Sequence, residues 1–435
     1  MSVSAVSPKR LFSVRPWRRR LVFWLGAIVV GAVSVLFAEL SNWAQDTFQS
    51  AYRFAWWLPL VITPTGFVLC AYLARTAFDG AQGSGIPQVI AARSFRTTAA
   101  REALLSPKLM AGKIGLTIVG LLSGASIGRE GPTVQIGAAI MLKIAAWGGL
   151  RHAKGIILAG SAAGIAAAFN TPLAGIVFAI EELSQSFEHR TTGLVLYAVI
   201  IAGLVSRALV GNYTYFGTLQ GAVSAWADWR MVIACGVVGG LAGGGFSRAM
   251  LVFARRIKRL PVLLPGHLPP LAIAFAGGLA IALLGIATDG ATFGTGYEQA
   301  RAAVEGQSLS GVFWPAKLAA TLVAACSGIP GGIFAPSLAV GAGLGSWLGW
   351  LLGASSSSLA AVLGMAGYFS GVVQAPLTAF VIILEMTGST ANVIPLMIAA
   401  ALGYGVSSLI STPLYRGLAE GFIKSVGAAH PPVKR

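Results

Sequence analysis

Four carboxylates interrupt otherwise apolar stretches of this 435-residue chain, which has only 14 acidic residues in all. They are Glu130, Glu181, Glu182 and Glu385. A carboxylate within a long apolar segment is costly and usually serves a function, such as carrying protons. Glu130 also bears the charge of an anion, so it could fill an anion site and leave it once protonated. Such a residue would couple proton binding to anion passage, whereas the alternative is a carboxylate that caps its own helix.

Three glycine-containing turns that end in proline indicate where an anion would bind. They are GSGIP (83–87), GREGP (128–132) and GIFAP (332–336). Proline is favoured in the first turn of a helix, so each turn predicts a helix whose free N–H groups lie at the positive end of its dipole. Such ends bind anions, and Ser84 adds a hydroxyl donor without a full charge. The alternative is that the glycines and prolines only allow close packing or kinks.

The chain contains an internal repeat with a register of 204 residues. SGASIGREGPTVQIGAAI (123–140) aligns without gaps on SGIPGGIFAPSLAVGAGL (327–344), with six of 18 positions identical. The same register aligns Pro172 with Pro376. Duplicated halves are typical of transporters, whose binding sites form near the midplane where broken helices of the two halves meet.

The repeat separates the adjacent residues Glu181 and Glu182. Neighbours on an α-helix point about 100° apart, so these two side chains cannot do the same work. Glu181 aligns with Glu385, which predicts a structural role. Glu182 aligns with Met386 and therefore departs from the repeat. Glu182 is the candidate for a function, and a solvated glutamate at a helix end is the alternative.

The composition requires a membrane around most of the chain. Apolar residues make up 56% and charged residues 10%, and the mean hydropathy is +0.77, whereas soluble domains have about 25% charged residues. Apolar stretches, several of them near the length of about 20 residues that spans a bilayer, recur at 21–40, 54–74, 156–180, 193–210, 231–253, 269–286, 318–329 and 359–384. We predict an all-α integral membrane protein, since lipid-exposed backbone must bond within its own helix.

The net charge of +17 does not require nucleic acid as a partner. Lys and Arg cluster between the apolar stretches, as expected of cytoplasmic loops, and six of them precede Leu21. The N-terminus is therefore predicted to be cytoplasmic. Binding of DNA or of a membrane surface by this basic segment is an alternative. The three cysteines and four histidines show no metal-ligand spacing and no evident disulfide, so we expect no metal and no cofactor.

The three motifs, in this order and followed by the tyrosine of Pro413-Leu414-Tyr415, resemble the CLC family of chloride channels and chloride/proton antiporters over about residues 21–421. The resemblance implies two inverted-topology repeats of tilted and broken helices, and a homodimer with one anion pathway per subunit. It implies that the hydroxyls of Ser84 and Tyr415 and the amides of Ile333 and Phe334 hold the central chloride. The outer site would use backbone amides at Arg129, Gly131 and Ala335.

The resemblance also assigns the proton route. Glu130 corresponds to the external gate and proton acceptor, and Glu182 to the internal proton acceptor that antiporters have and channels usually lack. Serine at position 84 resembles the chloride-preferring members, where nitrate transporters have proline and the fluoride branch has methionine. Gln88 and Ile90 depart from the glutamates that many antiporters have there, which puts the inner proton path in doubt.

The expected domains are a basic cytoplasmic segment (1–20), an N-terminal membrane repeat (21–212), a C-terminal membrane repeat (213–421) and a short cytoplasmic tail (422–435). The predicted function is chloride/proton antiport in a bacterial inner membrane, with chloride, protons and lipid as partners. A passive voltage- or pH-gated chloride channel is the alternative on the same scaffold. An intramembrane enzyme using Glu130 and Glu182 as an acid/base pair lacks a supporting Ser/His pair or metal cluster.

Overall fold

The computed structural model describes residues 14–150, 153–184, 189–211, 213–219, 221–223, 226–257 and 268–429. These residues form eighteen α-helices, and seven helices of the described part are long and apolar enough to cross a membrane. The predicted all-α membrane architecture is confirmed. Several other apolar helices are too short to span a bilayer alone, as expected of helices interrupted near the midplane.

The first half contains nine helices in the described residues. They are α1 (Val14–Phe54), α2 (Pro59–Leu73), α3 (Ile86–Ser94), α4 (Thr98–Leu105), α5 (Pro107–Leu122), α6 (Glu130–Trp147), α7 (Ala153–Phe169), α8 (Pro172–Phe178) and α9 (His189–Val210). A π-helical turn, Ala179–Ser184, continues α8.

The second half also contains nine. They are α10 (Trp226–Ile257), α11 (Leu268–Ala287), α12 (Tyr297–Val304), α13 (Phe313–Cys326), α14 (Phe334–Leu352), α15 (Ser357–Val373), α16 (Pro376–Thr387), α17 (Val393–Ser408) and α18 (Leu414–Ala429). A short 3-10 turn, Thr390–Asn392, precedes α17.

The repeat predicted from the sequence is present in the backbone. Helices α7 and α15 begin and end exactly 204 residues apart, as do the starts of α8 and α16. The residues that follow α7 and α15, Asn170 and Gln374, both have a left-handed backbone, with φ of 55° and 57°. Non-glycine residues rarely adopt this conformation, so its recurrence at equivalent positions shows that the two halves share one fold.

The backbones of the two halves run antiparallel where they meet at a pair of equivalent glycines. The N–H of Gly128 donates to the carbonyl of Gly332, and the N–H of Gly332 donates to the carbonyl of Gly128, both at 2.7 Å. This antiparallel pair relates the halves by a pseudo-two-fold axis that passes between the glycines. This local symmetry agrees with the inverted-topology repeats that the family resemblance implied.

Glycine contacts bring helices of each half unusually close together. A Cβ on Gly137 of α6 would lie 2.2 Å from the carbonyl oxygen of Gly160 on α7. The equivalent pair in the second half, Gly341 and Gly364, is similarly close, with 2.3 Å from a Cβ on Gly364 to the carbonyl oxygen of Gly341. Close backbone approach of this kind drives helix association in membranes, so these glycines set the spacing of the helices that carry the site.

Two carboxylates cap helices of the opposite half. Glu181 accepts from the N–H groups of Leu377 (3.0 Å) and Thr378 (2.6 Å) at the start of α16. Glu385 accepts from the N–H groups of Leu173 (3.0 Å) and Ala174 (2.7 Å) at the start of α8. These N–H groups have no intrahelical acceptor, and leaving them unpaired in a membrane would be costly. The predicted structural role of Glu181 is confirmed.

The ends of the chain lie partly outside the described residues, which begin at 14 and end at 429. Within the predicted basic segment, 14–20 already belong to α1, and within the predicted tail, 422–429 belong to α18. The predicted boundary between the repeats falls at residue 212, which is also outside them.

Candidate functional site

The three glycine–proline turns each precede a helix, as predicted, and they lie against one another. Helix α3 begins at Ile86, α6 at Glu130 and α14 at Phe334. Gly85 has φ of 103°, and a Cβ there would lie 2.8 Å from the carbonyl oxygen of Gly131. Residues with a side chain rarely adopt this backbone conformation, and a side chain at position 85 would also have no space. The reciprocal glycine pair described above joins the other two turns, so three helix N-termini converge.

Glu130 is fully buried at the start of α6, and its carboxylate faces backbone N–H groups. The N–H of Ala335, in the first turn of α14, donates to Oε2 at 3.4 Å, and the amides of Arg129 and Glu130 lie beside the same carboxyl group. The other oxygen, Oε1, has no hydrogen-bond partner among the described residues. Because it accepts from a helix of the opposite repeat, Glu130 does more than cap its own helix. An anion at this point would compete with it for the same donors.

Ser84 and Tyr415 present buried hydroxyl groups to the same region. Ser84 is 7% exposed and Tyr415 is 1% exposed. Neither hydroxyl is bonded to a residue that the structure describes. The Tyr415 hydroxyl interacts electrostatically with the carboxylates of both Glu130 and Glu182. A buried donor without an acceptor costs free energy, so these two hydroxyls fit an anion that needs neutral donors.

Aromatic rings surround the start of α14. The ring of Phe334 lies 4.2 Å from that of Phe369, 5.6 Å from Phe169 and 6.4 Å from Phe178, between ring centroids. Ile333 and Phe334 are both at least 97% buried. Their N–H groups stand at the beginning of the helix and lack intrahelical acceptors. Buried among apolar side chains, these donors would bind an anion more strongly than they would in water.

Glu182 lies in the π-helical turn that follows α8 and is 6% exposed. Its Oε1 has no partner among the residues of the described ranges. Charged groups that interact with it are Arg416, which follows Tyr415, and its neighbour Glu181. Burial of this degree excludes the solvated glutamate that the sequence left open. Single π-turns occur frequently at functional sites.

Two fully buried lysines hold loops of the two repeats. The Lys113 ammonium donates to the carbonyl of Gly83 at 2.9 Å, next to Ser84, so this lysine does not extend to the membrane surface. The Lys317 ammonium donates to the carbonyls of Thr292 (2.9 Å) and Gly294 (2.7 Å). Lys317 stands 204 residues after Lys113 and is its repeat partner. The sequence interpretation missed Lys317, although the repeat register points to it.

A cavity of about 410 Å³ opens beside Arg129. The Arg129 guanidinium donates to the carbonyl of Ala38 and to the side-chain oxygen of Asn42 (2.6 Å), both on α1. Its side chain therefore fastens the GREGP turn to α1, and its positive charge also interacts with the Glu130 carboxylate. The other charged residues that line the cavity are Glu39, Asp46 and Glu298.

Gln88 and Ile90 occupy the positions where many antiporters of the resembled family have glutamates. Gln88 is buried, and its side-chain nitrogen donates to the carbonyls of Gln82 (2.6 Å) and Gly80 (3.3 Å). Gln88 thus stabilises the turn before Ser84. Ile90 is half-buried. Neither position supplies a carboxylate to the approach to Glu182.

Comparison with known proteins gives consistent matches. The family model described as voltage gated chloride channel matches residues 66–408. The chain is 31% identical over 345 residues to the H(+)/Cl(-) exchange transporter ClcA of Citrobacter koseri, which covers 74% of this chain and 69% of that protein. It is 31% identical over 355 residues to the protein of the same name from Salmonella agona, covering 75% and 72%.

Solved structures share the fold. A slow cyanobacterial Cl−/H+ antiporter matches with a TM-score of 0.80 and 24% identity over 97% of this chain and 99% of that one. A CLC-type fluoride/proton antiporter matches with a TM-score of 0.76 and 26% identity over 95% and 99%. The matched family region contains the turns at 83–87, 128–132 and 332–336, whose geometry is described above. This multi-pass membrane protein therefore belongs to the voltage-gated chloride channel family.

Proposed function

We propose that the protein exchanges chloride for protons across a bacterial inner membrane. The observation that carries this proposal is the placement of Glu130, a fully buried carboxylate that accepts from the N–H of Ala335 in the opposite repeat and lies beside the amides at the start of its own helix. A carboxylate in this position excludes a competing anion while it is charged. Once protonated it loses its attraction for the helix N-termini, and the donors become available to chloride.

The central chloride would be bound by the hydroxyls of Ser84 and Tyr415 and by the amides of Ile333 and Phe334. All four groups are supplied at or beside the converging helix ends. None of them carries a full positive charge, which suits a site that must release its ion at each cycle. The outer chloride would replace the Glu130 carboxylate at the amides of Arg129, Gly131 and Ala335.

The proton would enter through Glu182 and leave through Glu130. Glu182 is nearly buried, has an unpaired oxygen within the described part of the protein, and shares electrostatic contact with Tyr415. The same hydroxyl is in electrostatic contact with Glu130. The Tyr415 hydroxyl thus interacts with both carboxylates, which supports anion and proton routes that approach each other there.

The orientation follows from α1. Lys and Arg precede its apolar part, which favours a cytoplasmic start, and Asn42 lies 22 residues after Arg20, about 33 Å along a helix. Arg129 and the cavity beside it would then face the outside. Glu130 becomes the external acceptor and Glu182 the internal one. We further propose the division into repeats at 21–212 and 213–421, and a homodimer, which rest on family membership.

A passive chloride channel is the second candidate, and the observation that favours it is the lack of carboxylates at Gln88 and Ile90. Replacement of Glu182 by Gln in the purified protein, reconstituted into liposomes, separates the two. An exchanger loses proton movement but keeps chloride flux after Glu182→Gln. A channel shows chloride flux without linked proton movement before and after the change, and that result would reject exchange.

The choice of halide rests on Ser84. A serine hydroxyl matches the chloride-preferring type, although a fluoride/proton antiporter also shares this fold. We expect chloride to bind and be transported at least tenfold better than fluoride. Calorimetric titration of the purified protein with each halide tests this assignment, and tighter fluoride binding would reverse it.

A further inference from the structure

The two interrepeat caps are nearly identical, but only one of them precedes a carboxylate. Glu181 and Glu385 each pair both oxygens with two N–H groups of a helix in the opposite repeat, at 2.6 to 3.0 Å. The residue after Glu181 is Glu182, and the residue after Glu385 is Met386. The inverted repeat thus offers an internal comparison in which the same cap is present with and without an adjacent proton acceptor.

The backbone departs from the repeat at this cap. Glu385 belongs to the regular helix α16, which ends at Thr387 and is terminated by the left-handed Gly388. Glu181 belongs to the π-turn Ala179–Ser184. A π-turn spaces its hydrogen bonds one residue further than an α-helix, so the residues beyond Glu181 point in other directions than their repeat partners. The direction of Glu182 therefore depends on this π-helical segment.

The cap at Glu181 has one bond more than its counterpart. Thr378 donates to Glu181 Oε2 through its backbone N–H at 2.6 Å and also through its hydroxyl at 2.7 Å. The equivalent residue in the other cap is Ala174, which has no hydroxyl and donates through its N–H alone. The additional bond is thus found on the cap that adjoins Glu182.

We propose that Glu181 and Thr378 are positioning residues for Glu182: their interrepeat bond fixes the start of the π-turn, and thereby directs the Glu182 carboxylate toward Tyr415. This inference rests on the proposed proton route. In this role Glu181 acts through its hydrogen bonds, since both of its oxygens accept from the start of α16. The reciprocal cap at Glu385 serves the fold alone.

The test compares matched variants in liposomes, measuring chloride and proton flux together. We expect Glu181→Gln to lower the ratio of protons to chloride at least threefold while chloride flux persists. The glutamine amide has one accepting oxygen and one donating nitrogen, so it cannot accept from both N–H groups as the carboxylate does. Glu385→Gln breaks the equivalent cap and should leave the ratio unchanged. Thermal melting of both variants shows whether they lose similar stability.

Thr378 separates positioning from proton transfer and keeps the test valid if Glu181→Gln does not fold. Thr378→Ala, which reproduces the situation at Ala174, should lower the ratio by a smaller factor, and Thr378→Ser should restore it. The Thr378 hydroxyl has no ionised form near neutral pH, and it donates to Glu181. An unchanged ratio in Thr378→Ala would overturn the inference, because the additional bond would then have no effect on Glu182.

Two further outcomes would also overturn it. Equal loss of coupling in Glu385→Gln would mean that the caps act only through the fold, and a normal ratio in Glu181→Gln would mean that the bond does not direct Glu182. If the unmodified protein moves no protons, the proposed exchange fails, and the inference fails with it. If the parent protein moves protons and the Glu181 and Thr378 variants keep the same ratio of protons to chloride, only the inference is refuted. The proposed exchange then stands.

Discussion

Replacement of Glu130 by Gln should tighten chloride binding. In the structure the carboxylate accepts from the start of α14 and lies beside the amides at the start of α6, so it occupies donors that a chloride would otherwise use. Glutamine is nearly the same size but is uncharged, so it competes more weakly for those donors. The change therefore removes the competitor without opening a large space.

The magnitude follows from the hydrogen bonds. A bond to a charged group contributes about 1.5–3 kcal/mol and a neutral one about 0.5–1.5 kcal/mol, so each bond loses about 1 kcal/mol on substitution. The Ala335 donor lies at 3.4 Å, beyond the usual range for a strong bond, which favours the low end. A total of about 1–2 kcal/mol corresponds to chloride binding about 5- to 30-fold tighter.

Calorimetric titration of chloride into the purified protein measures this change. Lowering the pH should tighten binding to the parent protein, since protonation also removes the competing charge, and should have little effect on Glu130→Gln. Glu39→Gln is a suitable control, because Glu39 lines the outer cavity without contacting these donors. Unchanged affinity in Glu130→Gln, or an equal gain in Glu39→Gln, would refute the argument that Glu130 occupies an anion site.

Three other substitutions test the site and the packing around it. Tyr415→Phe removes one unpaired donor and should weaken chloride binding by about 1 kcal/mol, or about fivefold, in the same titration; unaltered binding would remove Tyr415 from the site. Lys317→Met leaves two carbonyls without a donor and should cost about 1–3 kcal/mol each, seen as a lower melting temperature in detergent, whereas Lys143→Met at an exposed position should not change it. Gly364→Val forces a side chain against Gly341 and should reduce the yield of folded protein, and normal yield and melting would contradict the close packing.

The sequence predicted the architecture because its signals are local. Apolar stretches of membrane length and prolines after glycine turns determine where helices form, and the helices at Ile86, Glu130 and Phe334 begin where those turns predicted them. The 204-residue register also relates positions whose backbone proves equivalent in the structure, such as Asn170 and Gln374. The composition and the repeat were therefore sufficient to predict most of the fold.

Features that depend on contacts between the repeats could not be predicted from the sequence. The π-turn around Glu182 has no compositional signal, and the cap within it joins Glu181 to a helix nearly 200 residues away. The direction of the Arg129 side chain toward α1 was equally hidden. Lys317 could have been predicted, since it lies 204 residues after Lys113 and is its partner in the repeat.

The most direct test of the central claim is simultaneous measurement of chloride and proton flux from liposomes that contain the purified protein. A chloride gradient starts the flux, and the membrane potential is left free to respond. We expect protons to move uphill as chloride runs down its gradient, and Glu182→Gln to stop the protons while chloride continues. Chloride flux with no linked proton movement in the parent protein would contradict it and would make this protein a channel.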